Sequence, residues 1–500
     1  MSEMNKESIA PQEEVGLLSD FSSLLDENFR PSSEAKKSDI EGAMQTLAEH
    51  ALKNTSLIDP DSLDAISTIQ KLISSIDEKL SEQLDLVLHH PEFQALESSW
   101  QGLHYLVNNT DTSTKLKIRF MNISKSEIHK MLKKFKGTNW DQSPLFKKIY
   151  EEEYGSANGA PYACLIGDYY FDHTAPDVEF LTEMSHISAA AHAPFVAAAG
   201  PGLLGMDSWQ DLNNPRDISS KFEEPDYAAW RSFRNSADSQ YVAMAMPRFL
   251  GRLPYGAKTN PVNEFAFEES VDGTDHSEYL WVNAAYAMAT NINRSFTDFG
   301  WSSQIAGVDS GGIVDNLPVH TFDTHDGGTG SKCPTEVSIP DRREKELSDN
   351  GITSLIHYKN TDYAAFFKAT SLRKPVEYDD PEATSNAKLA TNLSYIFATS
   401  RFAHYLKHIV RNKIGSSATA EKLKDELHRW IMQYVEPSPA GATEAALARR
   451  PLSNAEVVVE ADEENPGFYK ARFSLTPHYK LEGMTIAMSL VSRLPSEREG

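Results

Sequence analysis

The sequence is poor in cysteine: only Cys164 and Cys333 occur among its 500 residues. Two cysteines cannot form the disulfide framework of a small secreted protein, and their scarcity is typical of a reducing compartment. The opening residues MSEMNKESIAPQEE also lack the apolar core of a secretory signal. We therefore expect a cytoplasmic protein.

Positive charge is scarce as well. The chain carries 48 basic and 72 acidic side chains, which gives a formal net charge of −24. Proteins that bind nucleic acids or anionic lipids neutralise phosphates with clusters of Lys and Arg. The charge balance therefore argues against both classes, and we expect no nucleic-acid partner.

Long hydrophobic runs are missing too. The least polar stretch, residues 189–206, is interrupted by Pro194, Gly200 and Pro201. It cannot form one spanning helix, so we expect no membrane insertion. A chain of 500 residues exceeds what a single hydrophobic core usually supports, which favours two or more domains.

Residues 1–60 are polar and acidic, which predicts a flexible tail. Within this tail, residues at about 15–30 form an apolar stripe at helical spacing, between Pro11 and Pro31. An isolated helix of this length is marginal in water, so it needs a surface, either on its own domain or on a partner. The stripe consists of Leu17, Leu18, Phe21, Leu24, Leu25 and Phe29.

Two further helices are predicted in residues 61–110, on either side of Pro91. In both, apolar residues recur by threes and fours, which is typical of a helix that packs lengthwise on another helix. Such seams are buried inside one chain as often as against a partner subunit. The first seam consists of Ile66, Ile69, Ile73, Ile76 and Leu80, and the second of Phe93, Leu96, Trp100, Leu103 and Val107.

Residues 111–380 are predicted to form an α/β domain. From about 115 to 250, strand-like runs alternate with helical runs, which indicates a largely parallel sheet covered on both faces. From 251 to about 380 the sequence is loop-rich around one helix, EYLWVNAAYAMATNINRSF. The predicted strands are KLKIRFMNI, PYACLIGDY, APFVAAAG and QYVAMAMPRF, and the predicted helices are SKSEIHKMLKKF, PDVEFLTEMSHISAAAHA and DYAAWRSFRN.

Residues 381–500 combine long amphipathic helices with strands that follow them. SNAKLATNLSYIFATSRFAHYLKHIVRNKI and AEKLKDELHRWIMQYVE have helical periodicity, whereas AEVVVEAD, FYKARFSLTPHYK and EGMTIAMSLVSR are predicted strands. The last strand either pairs within its own sheet or is donated to a neighbour's sheet. The apolar faces of the last two strands include Tyr469, Phe473, Leu475, Met484, Ile486, Met488 and Leu490.

A glycine turn offers one enzymatic alternative. Gly200, Gly202 and Gly205 match G-x-G-x-x-G directly after a predicted strand, as in a cytosolic NAD(P)-dependent α/β oxidoreductase. The helix that should follow is short, because Asn213, Asn214 and Pro215 interrupt it. We therefore favour a tight turn without a cofactor.

Other chemical motifs are incomplete. HDGGTGSKCP at 325–334 departs from the phosphate-loop pattern. His404 and His408 have the spacing of metal ligands, but no third ligand lies nearby. Cys164, Asp168 and His173 suggest a thiol nucleophile, but Cys164 lies in a predicted strand where a small buried hydrophobe is expected. We expect no enzyme, cofactor or metal. Arg248 and Arg252 are expected to pair with carboxylates in a rigid turn.

Most of the chain, roughly residues 60–495, resembles the large sheath subunit of the bacterial type VI secretion system, the TssC/VipB family. Several segments carry this resemblance, together with the C-terminal strands. They are PRFLGRLPYG at 247–256, WVNAAYAMATNINRSFTDFGWSSQIAG at 281–307, LPVHTF at 317–322 and KNTDYAAFFKATSLRKPVEYDD at 359–380.

The resemblance implies a structural role. In that family, the large subunit pairs with a small sheath subunit (TssB/VipA), and the heterodimers stack into a six-start helical sheath around a tube of Hcp. The sheath assembles on a baseplate and contracts to drive the tube outward, and the AAA+ unfoldase ClpV then recycles it.

The resemblance also suggests roles for the segments described above. It implies that residues 381–500 form a tail-sheath-like inner domain, completed by the small subunit, whose C-terminal strands are exchanged between protomers. Residues 111–380 would form the outer domain, and the helical seam at 61–110 would pack on the small subunit. The tail helix at 17–29 would be the site that ClpV recognises.

Overall fold

The computed structural model describes Gly42, Thr46 and residues 65–156, 159–213, 217–323, 327–411, 420–461, 469–478 and 488–493. The predicted tail helix, from Leu17 to Phe29, lies outside the described residues, as do Met484 and Ile486. Among the described residues, every helix is too short or too polar to cross a lipid bilayer.

Helices form a large part of the described chain. Short α-helical turns lie at Pro144–Phe146, Glu152–Gly155 and Ile218–Phe222. The longer helices are α1 (Ala65–Leu88), α2 (Pro91–Asn108), α3 (Lys125–Lys134), α4 (Ala175–Ala191), α5 (Ala228–Arg234), α6 (Ala284–Phe299), α7 (Asp341–Asp349), α8 (Pro381–Ala390), α9 (Leu393–Arg411), α10 (Ala420–Ile431) and α11 (Glu444–Arg449).

The strands fall into a main sheet, a C-terminal sheet and two short pairs. They are β1 (Leu165–Phe171), β2 (Phe195–Ala199), β3 (Val242–Met246), β4 (Phe249–Leu250), β5 (Trp281–Val282), β6 (Ile313–Val314), β7 (Thr321–Asp323), β8 (Thr329–Ser331), β9 (Ile352–His357), β10 (Ala364–Phe366), β11 (Leu452–Ala461), β12 (Tyr469–Pro477) and β13 (Met488–Arg493).

The main sheet has the order β1-β2-β3-β9-β10-β6 in the described chain. Its first four strands are parallel, whereas β10 runs antiparallel to both β9 and β6. Strands β2 and β3 are buried throughout, as expected of parallel strands with both faces covered. The predicted mixed α/β fold with a largely parallel sheet is confirmed.

Alternate residues of the inner strands supply two different hydrophobic cores. In β3, Met244 belongs to the core that contains α4, whereas Ala243 and Ala245 belong to the core that contains α6. Because successive side chains of a strand point to opposite faces, each inner strand packs on the helices of both layers. Helix α6 begins at the side-chain cap of Asn283 and ends at Gly300, which has a φ of +79°.

Strand β9 and helix α7 lie within the region that the sequence predicts to be loop-rich. Strand β9 pairs with β3 on one side and with β10 on the other, so it occupies the middle of the main sheet. The interpretation of residues 251–380 as largely loop is therefore wrong at these elements. The run ITSLIH is short and lacks period-two alternation because both of its faces are buried.

The strand predicted for residues 115–123 (KLKIRFMNI) is also corrected. These residues form no strand, since a strand requires a neighbouring strand to which its backbone can bond. Strand β1 ends the order of the main sheet, and its described partner is β2 alone.

The C-terminal sheet has the order β11-β12-β13, and both of its pairings are antiparallel. Phe473 and Leu475 of β12 are fully buried in a separate core. Phe402 of α9 and Trp301, which follows α6, belong to this core, and their rings stack with centroids 4.3 Å apart.

The described chain divides into two compact units. One contains the described residues up to Phe93 together with Pro254–Val271, and the other contains Gln94–Leu253 with the residues from Asp272 onward. The domain boundaries near residues 60, 110 and 380 that the sequence suggests stay predictions.

Candidate subunit interfaces

Helix α1 carries an apolar stripe that the described residues leave open to solvent. Each of its members exposes between 46% and 50% of its surface. A fully buried Ile or Leu stabilises a protein by about 1.5–3 kcal/mol relative to an exposed one, so contiguous exposure of this kind is typical of binding surfaces. The α1 stripe consists of Ile73, Ile76, Leu80 and Val87.

The α1 stripe continues the predicted seam. Ile66 and Ile69 lie in the first turns of α1, in register with it, although their side chains are outside the described residues. The helical spacing that the sequence predicts is therefore present. Its role as a seam for a partner stays a prediction.

Polar contacts hold the C-terminal end of α1 on residues 254–271. The Asp85 carboxylate accepts a hydrogen bond from the Ser270 backbone N–H at 3.2 Å, and burial raises the pKa of Asp85. His89 lies 3.3 Å from Glu269, which also accepts a hydrogen bond from the Tyr255 backbone N–H at 2.8 Å. These contacts order the helix through side chains that are not part of the α1 stripe.

From Gln94 onward α2 belongs to the second unit, and one of its faces packs on other residues of that unit. Gly102 lies against the Tyr286 ring, where an added Cβ would come within 2.3 Å of a ring carbon, so only glycine allows this approach. The Ser98 hydroxyl donates to the Trp281 backbone oxygen at 2.7 Å. Arg252 donates to Glu97 at 2.6 Å, and both side chains are largely buried.

The predicted pairing of the two arginines is confirmed. Arg252 pairs with Glu97, as above, and Arg248 makes a bidentate contact with Glu336, with N–O distances of 2.9 and 2.6 Å. A planar guanidinium matches a carboxylate in this arrangement. Ion pairs therefore stabilise the turn at 247–256, and neither of them is a pair of groups suited to acid–base catalysis.

The other face of α2 is apolar and exposed. Trp100 is 59% exposed and Phe120, from the segment after the helix, is 63% exposed; their ring centroids lie 6.2 Å apart. Large aromatic side chains exposed together are typical of protein interfaces. We call this surface the α2 patch; it consists of Leu96, Trp100, Val107, Phe120 and Met121.

The extended segment, residues 115–123, borders the α2 patch. Among the described residues, the backbone N–H groups of residues 117–123 have no backbone hydrogen-bond acceptor. Ile118 packs on a core, whereas the side chains of Lys117 and Arg119 are exposed. Side chains alternate between exposed and packed only from Lys117 to Arg119, and no described backbone oxygen accepts from the N–H groups of residues 117–123.

Phe120 and Met121 were not predicted to be surface residues, because the sequence pattern places them in a covered strand. A signal was present in the sequence. Neighbouring residues of a strand point to opposite faces, so two adjacent large apolar side chains in a segment with exposed cations require cover on both faces.

The C-terminal strands show which of the predicted exchange residues have partners inside the chain. Strand β12 pairs with β11 along its full length and with β13 from Lys470 to Leu475. Met488 and Leu490 lie in β13, opposite Leu475 and Phe473. Among the described residues, β13 pairs only with β12 and leaves its other edge open. Exchange of these strands between protomers stays a prediction.

The glycine turn after β2 does not have the form of a dinucleotide site. Residues Pro201–Leu204 form a short 3-10 helix that ends at Gly205, which has a φ of +62°. An added Cβ at Gly202 would lie 3.4 Å from the Asp172 side chain, so the turn packs on the loop after β1. In the part of the chain that the structure describes, β2 is not followed by a long helix whose N-terminus would bind pyrophosphate.

The residues considered for a thiol nucleophile and for a metal site do not come together either. The Cys164 thiol donates to the Pro194 oxygen at 3.4 Å, and burial raises its pKa. His173 bonds to the Gly202 oxygen at 2.9 Å. His404 is buried and donates to the Ala191 oxygen at 2.9 Å, whereas His408 is exposed, so the two do not converge on a metal.

Burial lowers the pKa of His404 to about 3 and lowers that of His192 well below its ordinary value. Both rings are therefore neutral at physiological pH. Their centroids lie 6.2 Å apart, at the place where α9 packs on the end of α4. The pair belongs to the packing of the fold.

Comparisons with known proteins identify most of the chain. A family described as EvpB/VC_A0108, tail sheath N-terminal domain (VipB), matches residues 70–373. A second, described as EvpB/VC_A0108, tail sheath gpW/gp25-like domain (VipB_2), matches residues 382–494. A protein of Pseudomonas aeruginosa, strain PAO1, named "Type VI secretion system sheath protein TssC1", is 59% identical over 500 residues, which is 100% of both chains.

Two solved structures are similar at a lower level. One is the baseplate of the anti-feeding prophage, with 10% identity, a TM-score of 0.33 and coverage of 76% of this chain and 80% of that chain. The other is the contracted helical sheath of the same particle, with 10% identity, a TM-score of 0.26 and coverage of 64% and 65%.

Proposed function

Because the chain belongs to the VipB family of type VI secretion tail-sheath proteins, we propose that it is the large structural subunit of a contractile sheath in the bacterial cytoplasm. It pairs with the small sheath subunit, polymerises from a baseplate around an Hcp tube and contracts to propel that tube. The exposed α1 stripe carries this proposal, since it requires a partner that the described chain does not supply.

The α1 stripe is proposed to bind a helix of the small subunit. Ile73, Ile76 and Leu80 are spaced by three and four residues, which is the spacing of a seam between two helices that pack lengthwise. The flanking positions Glu78, Lys79 and Glu82 are charged and exposed, so they suit the solvated faces of such a pair.

The extended segment is proposed as a second contact of the same small subunit. Its open backbone N–H groups suit the addition of a partner strand. Lys115 and Lys117 are exposed along it, so the partner strand should bear acidic side chains. Arg119 is already paired with Glu153. Phe120 and Met121 would then be covered by the same partner.

The C-terminal strands are proposed to connect neighbouring protomers. The open edge of β13 offers backbone groups to another strand. A sheet shared by neighbours would keep subunits attached while their other interfaces repack. Contraction then needs no bound nucleotide here, because a metastable extended lattice stores the free energy that repacking releases.

Electron microscopy of the chain co-expressed with its small partner tests this proposal. Long hollow cylinders are expected, whereas the chain expressed alone should give none, since its α1 stripe remains uncovered. A monomeric protein that forms no polymer with the small subunit present would overturn the assignment. A melting temperature raised by NAD or NADP would instead favour an oxidoreductase that uses the turn at Gly200.

The tail helix is proposed as the docking site of the ClpV unfoldase. Its apolar stripe, from Leu17 to Phe29, would lie in a hydrophobic groove, as amphipathic helices do in many complexes. Deleting residues 17–29 is expected to leave sheath assembly intact and to abolish ClpV binding, measured by fluorescence anisotropy or pull-down.

A matched pair of substitutions refines the docking test. Leu24→Asp places a carboxylate in the apolar stripe and should weaken ClpV binding at least about tenfold, since an unpaired charge is costly in an apolar groove. Ser23→Asp adds the same charge outside the stripe and should leave affinity within about twofold. Unchanged affinity after the full deletion would refute the docking assignment.

A further inference from the structure

A small cavity of about 20 Å3 lies where α9 packs on the rest of the chain. Both of the regions matched by family models line it. A cavity of this size has room for one water molecule, which needs about 10–15 Å3, and excludes any organic ligand. The lining residues are Ala163, Phe296 and Ser302 from residues 70–373, and Phe397, Arg401 and His404 from residues 382–494.

Two buried nitrogen atoms of the lining residues lack partners. Nδ1 of His404 and Nε of Arg401 have no hydrogen-bond partner among the described residues. His404 is 4% exposed and both atoms are buried, so bulk water does not reach them. Because an unpaired buried polar group is costly, such groups are almost always paired with protein or with ordered water. Two of them on residues that line one cavity indicate a shared ligand.

The chemistry of each atom fixes what the ligand must do. Nε2 of His404 lies 2.9 Å from the Ala191 backbone oxygen, which can only accept, so Nε2 carries the proton. Burial lowers the pKa of His404 to about 3, so the ring is neutral and its Nδ1 is a bare acceptor. Nε of Arg401 always carries a hydrogen and can only donate. The ligand must therefore donate to His404 and accept from Arg401.

Water meets both requirements, whereas a simple ion meets only one. A metal ion could bind Nδ1 of His404, but it cannot accept a hydrogen bond and the guanidinium of Arg401 repels it. A halide could accept from Arg401, but the lone pair of Nδ1 repels it. A third partner is available to water, because the Ser302 hydroxyl donates to the Ile292 oxygen at 3.2 Å and its own oxygen can still accept. Three hydrogen bonds are usual for a buried water.

We propose that Arg401, His404 and Ser302 bind one internal water molecule, which joins α9 to the segment after α6. His404 then connects α9 to two places. Its Nε2 binds Ala191 at the end of α4, and its Nδ1 reaches Ser302 through the water. The histidine whose spacing from His408 suggests a metal ligand in the sequence thus binds water instead.

A crystal structure of the full-length chain, at a resolution that shows ordered waters, tests the proposal directly. One density peak is expected within about 3.2 Å of both Nδ1 of His404 and Nε of Arg401. Crystals grown in sodium bromide distinguish water from an anion, because bromide scatters anomalously. A bromide or metal peak in the anomalous map, or a cavity without density, would overturn the proposal.

Two substitutions test the shared water through stability. His404→Gln retains an amide donor for Ala191 but removes the ring acceptor, and Arg401→Met removes the donor while keeping an unbranched stem. Each should remove the density peak and lower the melting temperature by about 1–3 °C, since a buried atom loses its partner. The double variant should lose little more than either single variant, because the one water is lost only once.

Lys407→Met is the matched control for these variants. Lys407 follows His404 by three residues on α9, and its ammonium lies 5.6 and 5.4 Å from the centres of the Tyr150 and Tyr154 rings, so it does not line the cavity. This variant removes a cation from the same helix and should keep the water peak. Losses that add fully in the double variant, or a peak that persists in both single variants, would refute the assignment of the water to Arg401 and His404.

Discussion

Leu80→Asp is expected to weaken binding of the small sheath subunit at least about a hundredfold while the free chain stays folded. Leu80 is 48% exposed, so a carboxylate at this position remains hydrated before the partner binds. In the complex the same carboxylate would be buried against apolar side chains without a partner, which costs about 3 kcal/mol or more. About 1.4 kcal/mol corresponds to a tenfold change in affinity.

Ser74→Asp is the matched control for Leu80→Asp. Ser74 is exposed on the same helix but lies outside the apolar stripe, so the added charge remains in water in both states. Isothermal titration of each variant against the purified small subunit should separate them by at least about tenfold. Equal affinities for the two variants would show that the α1 stripe does not form the interface.

A substitution in the α2 patch tests whether the small subunit covers one surface of the chain or two. Trp100 and Phe120 are both more than half exposed, so Trp100→Asp should leave the free chain folded. If the small subunit covers the α2 patch as well, this variant should weaken binding by a similar factor. Loss of binding with Leu80→Asp alone would restrict the interface to α1.

The sequence predicted the elements with long apolar patterns better than the short strand β9 in the middle of the main sheet. Strands β2 and β3 and helix α4 lie where the periodicity places them, because each has a long apolar pattern. Strand β9 escaped prediction, although Gly351 before it and its β-branched residues marked a possible start. A central strand buried on both faces has no alternation, and its neighbours in the sheet are distant in sequence.

The extended segment shows the opposite failure. Residues 115–123 have the composition of a strand, and local pattern alone predicts one. Strand pairing depends on a second chain segment, however, and the described residues supply none for this one. From the sequence alone, a strand that pairs within its own chain cannot be distinguished from a strand that pairs with a partner.

The same ambiguity governs the proposed interfaces. The helical seams of α1 and α2 could be predicted as apolar stripes, but only the structure shows that Ile73, Leu80 and Trp100 remain exposed while Gly102 and Leu106 are buried. The carboxylate that pairs with Arg252 could not be predicted, because Glu97 lies 155 residues away in sequence. Chemistry that depends on residues distant in sequence appears only when the chain is folded.

Removing residues 482–500 is expected to abolish long sheaths while the heterodimer with the small subunit still forms. This truncation deletes β13 and exposes the edge of β12 from Lys470 to Leu475, but it spares the described members of the C-terminal core. Phe473→Asp would be a poor substitute for it. Phe473 is 1% exposed, so a carboxylate there would disrupt that core before any effect on assembly could be measured.

The matched truncation removes only residues 494–500, which follow β13. This shorter deletion should give sheaths of normal length by electron microscopy, with the same heterodimer yield as the longer one. A strand exchanged between protomers connects subunits through backbone hydrogen bonds. These bonds persist while the side-chain contacts between subunits rearrange during contraction. Long hollow cylinders from the chain without residues 482–500 would therefore show that β13 closes its own sheet and that the lattice is held by other contacts.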